Sequence, residues 1–442
     1  MAYQARGSAV IAVLLALLTS VAAAPSSSPS PASSSPPKSS IQHVVVIVQE
    51  NHTFDNYFAN YCAQRLDPKT KKPVCDGGPS TYPGTTTPPI VLDDTTNAKF
   101  DPNHEQVCEV AEIDAGKMDD FFTAPRTRSI CGDARNFAYA ASGTASPVAY
   151  YQQLATKGAL ADRYFQSVAG QSTSNDMYFW TTRFEFVDNA YDAQAVGTKC
   201  STTLTKKEYD DVTDPTANRN LGKTLSDAGV TWAWYGEGYA AMQGAGSGCP
   251  ATPSDCPIPI HSSPCVYDPG DMPSQFFTSS VDQPAHMRDY AQLATDLSSN
   301  KLPSVVFVKA IGYKTEHPGL GQQITPGVTF VRQTVDAIQH SKAAKHTLVL
   351  LTYDESGGYY DHVTPPATSA VDQQPYGPRL PLVAVGAPAR TGAVSHTQLE
   401  HASIVKFIEW NWLKGKTGQL AGRDATAHNL GSLLAPALRV PS

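Results

Sequence analysis

The sequence has few charged residues and no strong excess of either sign. Asp, Glu, Lys and Arg make up 17% of the 442 residues, and 33 basic against 40 acidic side chains leave a net charge of −7. A protein that binds nucleic acid by releasing counterions from phosphates needs a basic surface, so the composition indicates no nucleic-acid partner. Hydrophobic residues account for 41% of the chain, which excludes disorder for most of it.

The sequence also lacks an apolar run of the roughly 18 residues that a membrane-spanning helix needs. The run at residues 9–18 is shorter, follows Arg6 and precedes three alanines at 22–24, which is the pattern of a secretory signal peptide. Residues 25–40 contain nine Ser and five Pro, a composition typical of a solvated linker. We therefore expect a signal peptide at residues 1–24, then a linker, and a secreted or periplasmic protein with at most peripheral membrane contact.

Cysteine is absent after residue 265, and neither a C-x-x-C nor an H-E-x-x-H motif occurs. These absences disfavour a zinc ribbon, a thioredoxin-like redox motif and a zincin-type metalloprotease. The eight cysteines are even in number, as expected of an exported protein with disulfide bonds. Their proximity in the sequence favours Cys62–Cys75 and Cys108–Cys131 as local pairs.

Four short runs of aliphatic and β-branched residues have the continuous apolar character of strands buried on both faces. They lie at residues 43–48, 304–308, 347–352 and 382–385. Between them are segments with apolar residues at helical spacing, for example 329–341 and 403–413. This alternation predicts an α/β fold with a doubly wound, mostly parallel sheet. The stretches near 62–135 and 190–280, rich in Gly, Pro and Cys, are interpreted as disulfide-stapled loop insertions in a single domain of residues 41–442.

Two of the predicted strands are followed by segments rich in acidic, amide and histidine side chains. Residues 49–55, QENHTFD, follow the first strand, and residues 353–362, YDESGGYYDH, follow the third. Ligands of such sheets bind beyond the carboxyl ends of the strands. If both ends lie side by side, three carboxylates share a small volume, which is unfavourable unless a cation neutralises them. Capping of the following helices by these acids is the alternative interpretation.

A Ser-rich segment at residues 167–178, SVAGQSTSNDMY, offers a third set of polar groups. A hydroxyl becomes a nucleophile when a metal or a base lowers its pKa. Taken alone, this segment is more typical of an ordinary Ser-rich turn than of a catalytic site. The aromatic run at residues 231–235, TWAWY, likewise has two interpretations, a pocket for a choline-type head group or core packing.

These motifs resemble the phosphoesterase family that contains bacterial phosphocholine-type phospholipases C and certain acid phosphatases, with an alkaline-phosphatase-like fold. The family pattern E-N-R/H-S-F-D-x-Y-F is matched by residues 50–58, and T-Y-D-E-x-G-G-x-Y-D-H-V-x-P-P by residues 352–366. The shorter D-P-x-H, G-K-M-D and E-H-P patterns are matched at 101–104, 116–119 and 316–318. The resemblance extends from about residue 41 to the segment at 401–409.

The resemblance implies a role for individual residues. Carried over by position, one divalent metal ion of unknown identity would be bound by Glu50, Asn51, Ser172, Asp354 and Glu355. The family's G-P-T-H-P-N segment falls on residues 170–175, which places Ser172 at the nucleophile and Asn175 at a phosphate contact. His104 and His317 match histidines of the phosphate pocket, and His261 matches a third at a different local spacing. Since the chain departs from the pattern at Thr53, Gln171, Thr173 and Ser174, the hydroxyls of Thr173 and Ser174 also remain candidate nucleophiles.

The resemblance predicts a secreted, metal-dependent phosphoric ester hydrolase that cleaves phosphodiesters in the phospholipase C manner through a phosphoseryl intermediate. Its partner would be a small phosphate ester or a phospholipid head group. Three alternatives stay open: a broad-specificity acid phosphatase with the same site, a serine carboxylesterase in which G-Q-S-T-S stands for G-x-S-x-G, and a non-enzymatic calcium-binding exported protein.

Overall fold

The structure is a computed structural model, and it describes residues 36–79, 81–124, 131–186, 219–245, 250–258 and 265–442. The predicted signal peptide, residues 25–35 of the predicted linker, and His261 lie outside the described residues. The α-helices of the described residues, α1 to α10, are Phe54–Gln64, Asp94–Asn97, Gln106–Ile113, Ala149–Lys157, Ser172–Tyr178, Leu221–Asp227, Tyr239–Gly244, Ala291–Ser298, Ile324–Gln339 and His401–Trp412. The strands, β1 to β12, are His43–Gln49, Ile90–Val91, Ala138–Tyr139, Ala159–Ala161, Tyr164–Phe165, Trp232–Gly236, Met287–Asp289, Val305–Lys309, Thr347–Tyr353, Leu382–Val385, Ala393–Ser395 and Leu399–Glu400.

An eight-stranded sheet with the order β11-β4-β10-β9-β1-β8-β6-β7 forms the centre of the fold. β10 runs antiparallel to both of its neighbours, whereas every other pair in this sheet is parallel. β1, β8 and β9 lie in the middle, and their apolar side chains are buried because helices and loops cover both faces. The predicted α/β fold with a mostly parallel sheet is confirmed.

The helices cover the sheet as their apolar periodicity predicts. α9 buries Val328, Val331, Val335 and Ile338, which recur at three- and four-residue spacing. α9 begins five residues before the predicted start at residue 329, and Pro326 lies in its first turn, where no intrahelical donor is lost. Among the helices of the described residues, none combines the length and apolar character that a membrane crossing requires.

The first strand leads directly into α1 through a hydroxyl cap. Thr53 Oγ1 accepts a hydrogen bond from Asn56 N at 3.2 Å, and Asn56 Oδ1 accepts one from Thr53 N at 2.8 Å. Such a reciprocal cap satisfies two of the backbone groups that a helix start leaves open. The family pattern has Ser at this position, and the Thr53 hydroxyl can form the same cap.

The aromatic run at 231–235 belongs to the sheet. Trp234 of β6 is fully buried and stacks on Phe307 of β8 with ring centroids 4.5 Å apart, and Trp232 also lies in the core. The interpretation as a head-group pocket is therefore wrong, and core packing accounts for these rings. Residues 232–236, within the stretch near 190–280 that was interpreted as an insertion, form strand β6 of the central sheet. Aromatic residues can fill a buried strand as aliphatic residues do.

Disulfide bonds join Cys62 to Cys75 and Cys108 to Cys131, which confirms both predicted pairs. A third bond joins Cys256 to Cys265. The remaining two cysteines of the sequence, at positions 200 and 249, lie outside the described residues.

Candidate active site

The two long motifs meet at one edge of the sheet. β1 and β9 are parallel neighbours with Gln49 opposite Tyr353, so Glu50 and Asp354 follow at adjacent strand ends. β8 lies on the other side of β1 and ends at Lys309. The carboxyl ends of the three central strands therefore present two acids and one amine to the same volume, at the edge where such sheets bind ligands.

Asp354 links the two motifs directly. Its Oδ1 accepts hydrogen bonds from the backbone nitrogens of Asn51 at 3.1 Å and Glu355 at 2.6 Å. The other oxygen, Oδ2, is buried and has no hydrogen-bond partner. Burial raises the pKa of Asp354 to about 6, although the nearby Lys309 opposes this shift. One side of the carboxylate is thus fixed and the other is left to face a ligand.

Glu355 has the same division between its two oxygens. Oε2 accepts a hydrogen bond from Gly357 N at 2.5 Å, whereas Oε1 is buried without a hydrogen-bond partner. Burial, together with the charges of Asp354 and Glu109, raises the pKa of Glu355 well above its usual range. A nearby cation would remove this unfavourable charge accumulation.

Gly357 allows the two motifs to approach this closely. Its φ is +67°, and a Cβ at this position would lie 2.4 Å from the backbone oxygen of Asn51. Any side chain would force the backbone of the first motif away from Asp354. Asn51 itself adopts a left-handed conformation, with φ of +64°.

Lys309 is a site residue that the sequence reasoning missed. Its ammonium group is almost fully buried and lies 2.8 Å from Glu50 Oε1, 3.7 Å from Asp176 Oδ2 and 3.9 Å from Asp271 Oδ2. Burial opposes the charge, but the acids Asp176, Asp271 and Glu50 raise the pKa of Lys309 well above its usual range. It follows residues 304–308 directly, so the strand-end argument used for the two motifs could have identified it.

Glu50 divides its oxygens between two partners. Oε1 faces Lys309, and Oε2 accepts a hydrogen bond from Thr315 Oγ1 at 2.8 Å. Burial disfavours ionisation, but Lys309 and His317 outweigh it and hold the pKa of Glu50 at about 2. If Glu50 binds a metal ion, the ion shares one carboxylate oxygen of Glu50 with Lys309 or with Thr315.

Ser172 is the first residue of α5 and lies beside the first motif. Its Oγ donates a hydrogen bond of 3.4 Å to Asn51 Oδ1. Gly170, with φ of +122°, turns the chain into the helix. Ser172 is 8% exposed, so this hydroxyl lies at the edge of the buried polar groups. The structure therefore brings the predicted nucleophile to one of the predicted ligands, Asn51.

Asn175 fixes the loop that carries Ser172. Its Oδ1 accepts from Val168 N at 3.0 Å, and its Nδ2 lies within hydrogen-bond distance of the backbone oxygens of Val168, Gly170 and Gln171. These bonds occupy the amide group with its own loop. In this structure Asn175 positions the loop, and the predicted phosphate contact stays a prediction.

His104 and His317 lie together, with ring centroids 5.7 Å apart. In each ring Nδ1 faces a backbone oxygen, that of Pro102 at 2.9 Å and that of Pro318 at 2.7 Å. A carbonyl oxygen only accepts, so Nδ1 carries the hydrogen in both rings and Nε2 is the nitrogen available to a ligand.

The electrostatic surroundings of these two histidines are acidic. His104 Nε2 lies 3.9 Å from Glu355 Oε1, and Asp101 approaches both rings closely enough for the three residues to form a candidate metal-binding group of their own. Burial lowers the pKa of His317, but Asp101 and Glu50 outweigh it and raise that pKa above its usual value. The site therefore favours the imidazolium form of His317.

His362 lies in a separate network behind the motifs. Its Nδ1 lies 2.8 Å from Asp55 Oδ2, and the buried Arg379 donates to Asp55 at 2.9 Å and to Asp361 at 2.8 Å. Burial opposes the charge of His362, but its hydrogen bonds to Asp55 and Asp76 raise its pKa to about 10. These contacts tie α1 to the second motif and give His362 a structural role.

The donor set fits a hard divalent cation. Asp354 Oδ2 and Glu355 Oε1 are buried oxygens without hydrogen-bond partners, and Asn51 adds an amide oxygen beside the Ser172 hydroxyl. Carboxylate, carbonyl and hydroxyl oxygens are the ligands that Mg²⁺, Ca²⁺ and Mn²⁺ prefer. A cation placed here would supply the partner that these oxygens lack.

Phospholipases C are among the known proteins to which the chain is similar. The chain is 22% identical over 417 residues to the non-hemolytic phospholipase C of Pseudomonas aeruginosa, covering 84% of this chain and 53% of that protein. It is 24% identical over 432 residues to phospholipase C B of Mycobacterium tuberculosis, covering 89% of this chain and 77% of that protein. The chain thus spans about half the length of the Pseudomonas relative and three quarters of the mycobacterial one.

Among solved structures, a protein in the alkaline phosphatase superfamily from Vibrio parahaemolyticus is similar, with a TM-score of 0.38 and 12% identity over 84% of this chain and 77% of that chain. The sequence profile of the Phosphoesterase family matches residues 41–413. This match confirms the family resemblance drawn from the motifs and agrees with the expected enzyme class, a hydrolase of phosphoric esters. The chain is therefore a member of the phosphoesterase family.

Proposed function

We propose that the protein is a metal-dependent phosphoric ester hydrolase that cleaves phosphodiesters in the phospholipase C manner, with Ser172 as nucleophile. The observation that carries this proposal is the contact of the Ser172 hydroxyl with Asn51, next to the unpartnered oxygens of Asp354 and Glu355. A nucleophile beside unpartnered hard ligands is the arrangement that metal-assisted phosphoryl transfer requires. The names of the relatives, phospholipases C, favour a diester substrate.

Asn51, Asp354, Glu355 and Glu50 would hold the cation. Once bound, the cation supplies Lewis-acid polarisation of a non-bridging phosphate oxygen and lowers the pKa of the Ser172 hydroxyl. The fixed backbone bonds to Asp354 Oδ1 and Glu355 Oε2 keep both carboxylates in place before substrate arrives. Preorganised ligands reduce the reorganisation needed in the transition state.

In the first half-reaction the Ser172 oxygen attacks phosphorus and its proton passes to Nε2 of His104, the ring nitrogen opposite the one that donates to Pro102. The bond from phosphorus to the leaving oxygen breaks, and the imidazolium of His317 donates the Nε2 proton to that oxygen. The products are a phosphoseryl intermediate and an alcohol.

In the second half-reaction water attacks phosphorus and transfers a proton to the now neutral His317. The bond between phosphorus and Ser172 breaks, and His104 returns the proton to the serine oxygen. The enzyme regains its starting protonation state, so the two histidines exchange acid and base roles between the steps.

A broad-specificity acid phosphatase is the second candidate, because the same residues serve a phosphomonoester equally well. The imidazolium of His317, which the raised pKa favours, supplies positive charge for a dianionic monoester. The diester and monoester activities differ in the substrate preferred and not in the residues that perform the chemistry.

The experiment compares p-nitrophenyl phosphorylcholine, p-nitrophenyl phosphate and p-nitrophenyl acetate as substrates, with metal, with chelator and after metal is restored. We expect the phosphodiester to react fastest, activity to disappear with chelator, and restoration by a divalent ion. Faster hydrolysis of the monoester would favour the acid phosphatase. Chelator-resistant hydrolysis of the acetate would indicate a carboxylesterase, and metal binding without any hydrolysis would indicate a calcium-binding protein.

Ser172→Ala, with Thr173→Ala and Ser174→Ala as matched neighbours, tests the nucleophile in the same assay. We expect Ser172→Ala to lose roughly 1,000-fold or more of kcat, because removal of a nucleophile abolishes the covalent route. The neighbouring variants should retain most of the activity. Full activity of Ser172→Ala would contradict the assignment.

A further inference from the structure

The carboxylate of Glu109 is buried where three segments of the candidate active site meet. Glu109 lies in the middle of α3 and is 1% exposed. The helix follows the loop that carries Asp101 and His104, and Cys108 fixes it to Cys131. A charged side chain is rarely buried to this extent unless its oxygens have hydrogen-bond donors.

Both oxygens of Glu109 accept hydrogen bonds from parts of the site that are distant in sequence. Oε2 accepts from Gly170 N at 2.7 Å and from Gln166 Nε2 at 3.0 Å. Oε1 accepts a short hydrogen bond from the hydroxyl of Ser356. Gly170 lies two residues before Ser172, and Ser356 follows Glu355 directly.

Gln166 closes the connection between these two segments. Its Oε1 accepts from Ser356 N at 3.0 Å, and its Nε2 also donates to the backbone oxygens of Val168 at 2.8 Å and Gly170 at 3.1 Å. The Ser172 loop and the second motif are therefore held together twice, through Glu109 and through Gln166. A connected set of buried hydrogen bonds is stiffer than its separate members.

We propose that Glu109 is a positioning residue that fixes the Ser172 loop against the Asp354 and Glu355 ligand pair. The inference rests on the proposed function, since it assumes that Ser172 and these carboxylates act together. An error of about 1 Å in the placement of a nucleophile lowers the rate by up to roughly 100-fold, so such a residue controls turnover without touching substrate.

Glu112 provides a matched control on the same helix. It lies one turn further along α3, is also fully buried, and its Oε1 accepts a hydrogen bond from Asn136 Nδ2 at 2.9 Å. Asn136 also donates to the backbone oxygens of Phe121 and Cys131, so this contact belongs to the disulfide-bonded loop. Glu109→Gln and Glu112→Gln therefore each convert one buried carboxyl group of the same helix into an amide, and only Glu109 contacts the Ser172 loop.

The experiment measures kcat and KM of wild type, Glu109→Gln and Glu112→Gln on the best p-nitrophenyl ester, together with thermal unfolding and divalent-metal affinity by calorimetry. We expect Glu109→Gln to lower kcat by roughly 10- to 100-fold, the range for a lost hydrogen bond to a charged group, with KM changed less than about threefold. Metal should still bind to this variant, and Glu112→Gln should keep kcat within about threefold of wild type.

Ser356→Ala removes one arm of the same connection and serves as the second variant. In the double variant, the losses of Glu109→Gln and Ser356→Ala should be less than multiplicative, because both remove one shared contact. Equal losses of kcat in Glu109→Gln and Glu112→Gln, or wild-type kcat in Glu109→Gln, would overturn the proposal. A wild-type protein inactive on every ester would instead overturn the proposed function, so the two failures are distinguishable.

Discussion

At the scale of single residues, the ammonium group of Lys309 supplies part of the positive charge that balances the buried carboxylates near the strand ends. Removal of one partner from a buried ion pair leaves the other charge uncompensated, at a cost of about 3–5 kcal/mol. We predict that Lys309→Met lowers the free energy of unfolding by about this amount in chelator. A divalent ion should restore more stability to this variant than to wild type, because it neutralises Glu50 and its neighbours.

Urea unfolding with and without metal measures this prediction, and Lys314→Met is its control. Lys314 pairs with Glu237 at 2.5 Å in a partly exposed position, where an ion pair contributes little, up to about 1 kcal/mol. Equal unfolding of Lys309→Met and wild type in chelator would show that the buried ammonium group does not balance these carboxylates.

Glu316 makes the free energy of unfolding depend on pH, and a single substitution can separate its contribution. Its carboxylate accepts hydrogen bonds from the hydroxyls of Tyr57 and Tyr353, both at 2.7 Å, and from Tyr151, yet burial outweighs them and raises the pKa of Glu316 to about 7. The ordinary value is 4.5, so between these two pH values the folded state binds the proton more tightly than the unfolded state. The free energy of unfolding therefore falls as pH rises from 4.5 to about 7, by about 3 kcal/mol from this group.

We predict that Glu316→Gln removes this fall. Urea unfolding of wild type and variant at several pH values between 5 and 8 gives the measurement. The variant should show the shallower decline whatever its absolute stability, since Gln does not titrate. Parallel curves for the two proteins would mean that Glu316 stays ionised in the fold.

At the scale of elements, the site depends on how closely the turn after β9 approaches the turn after β1. Gly357 and Gly392 share a φ of +67°, but only Gly357 has a backbone atom in the way of a Cβ, the Asn51 oxygen at 2.4 Å. The nearest atom at Gly392 is 3.8 Å away. An alanine at either position has the same strain of about 1 kcal/mol or more from positive φ, and only the Gly357→Ala substitution displaces the first motif.

We therefore predict that Gly357→Ala lowers divalent-metal affinity by roughly tenfold or more, the effect expected when the support of a ligand is disturbed. Gly392→Ala should bind metal as wild type does. Titration calorimetry on both variants provides the measurement. Equal affinities in the two variants would show that the turn geometry does not control the ligands.

The same scale shows which elements the sequence could predict. β1, β8, β9 and β10 were predicted within one residue because continuous aliphatic runs mark strands buried on both faces. β6 was missed because its aromatic residues lie in a stretch rich in Gly, Pro and Cys. β4, with the sequence Ala159–Ala161, has too little side-chain signal to be separated from a helix.

The candidate site was predictable to the extent that its residues follow strands or belong to long motifs. Glu50, Asn51, Asp354 and Glu355 satisfy both conditions, and Lys309 satisfies the first. Glu109 satisfies neither condition, because it lies within a helix and outside the long motifs. Its partners Gly170 and Ser356 lie 61 and 247 positions further along the chain, and only the fold brings them to it.

At the scale of the whole molecule, segments that are far apart in the sequence meet in the fold. Asn51 and Asp354 are bonded across 303 positions, and the backbone of Lys38 donates to the oxygen of Asn411 at 2.7 Å. The last residues of the predicted linker therefore contact α10. A signal peptide at 1–24, a linker at 25–40 and a single domain at 41–442 remain predictions.

The central claim is that Ser172 becomes phosphorylated by a phosphate ester in a metal-dependent reaction. Rapid acid quenching during turnover of p-nitrophenyl phosphate, followed by mass spectrometry of the digested protein, tests it most directly. We expect a phosphoryl group on Ser172, absent after chelation and absent from Ser172→Ala. A phosphoryl group on Thr173 or Ser174, or unimpaired cleavage by Ser172→Ala, would contradict it.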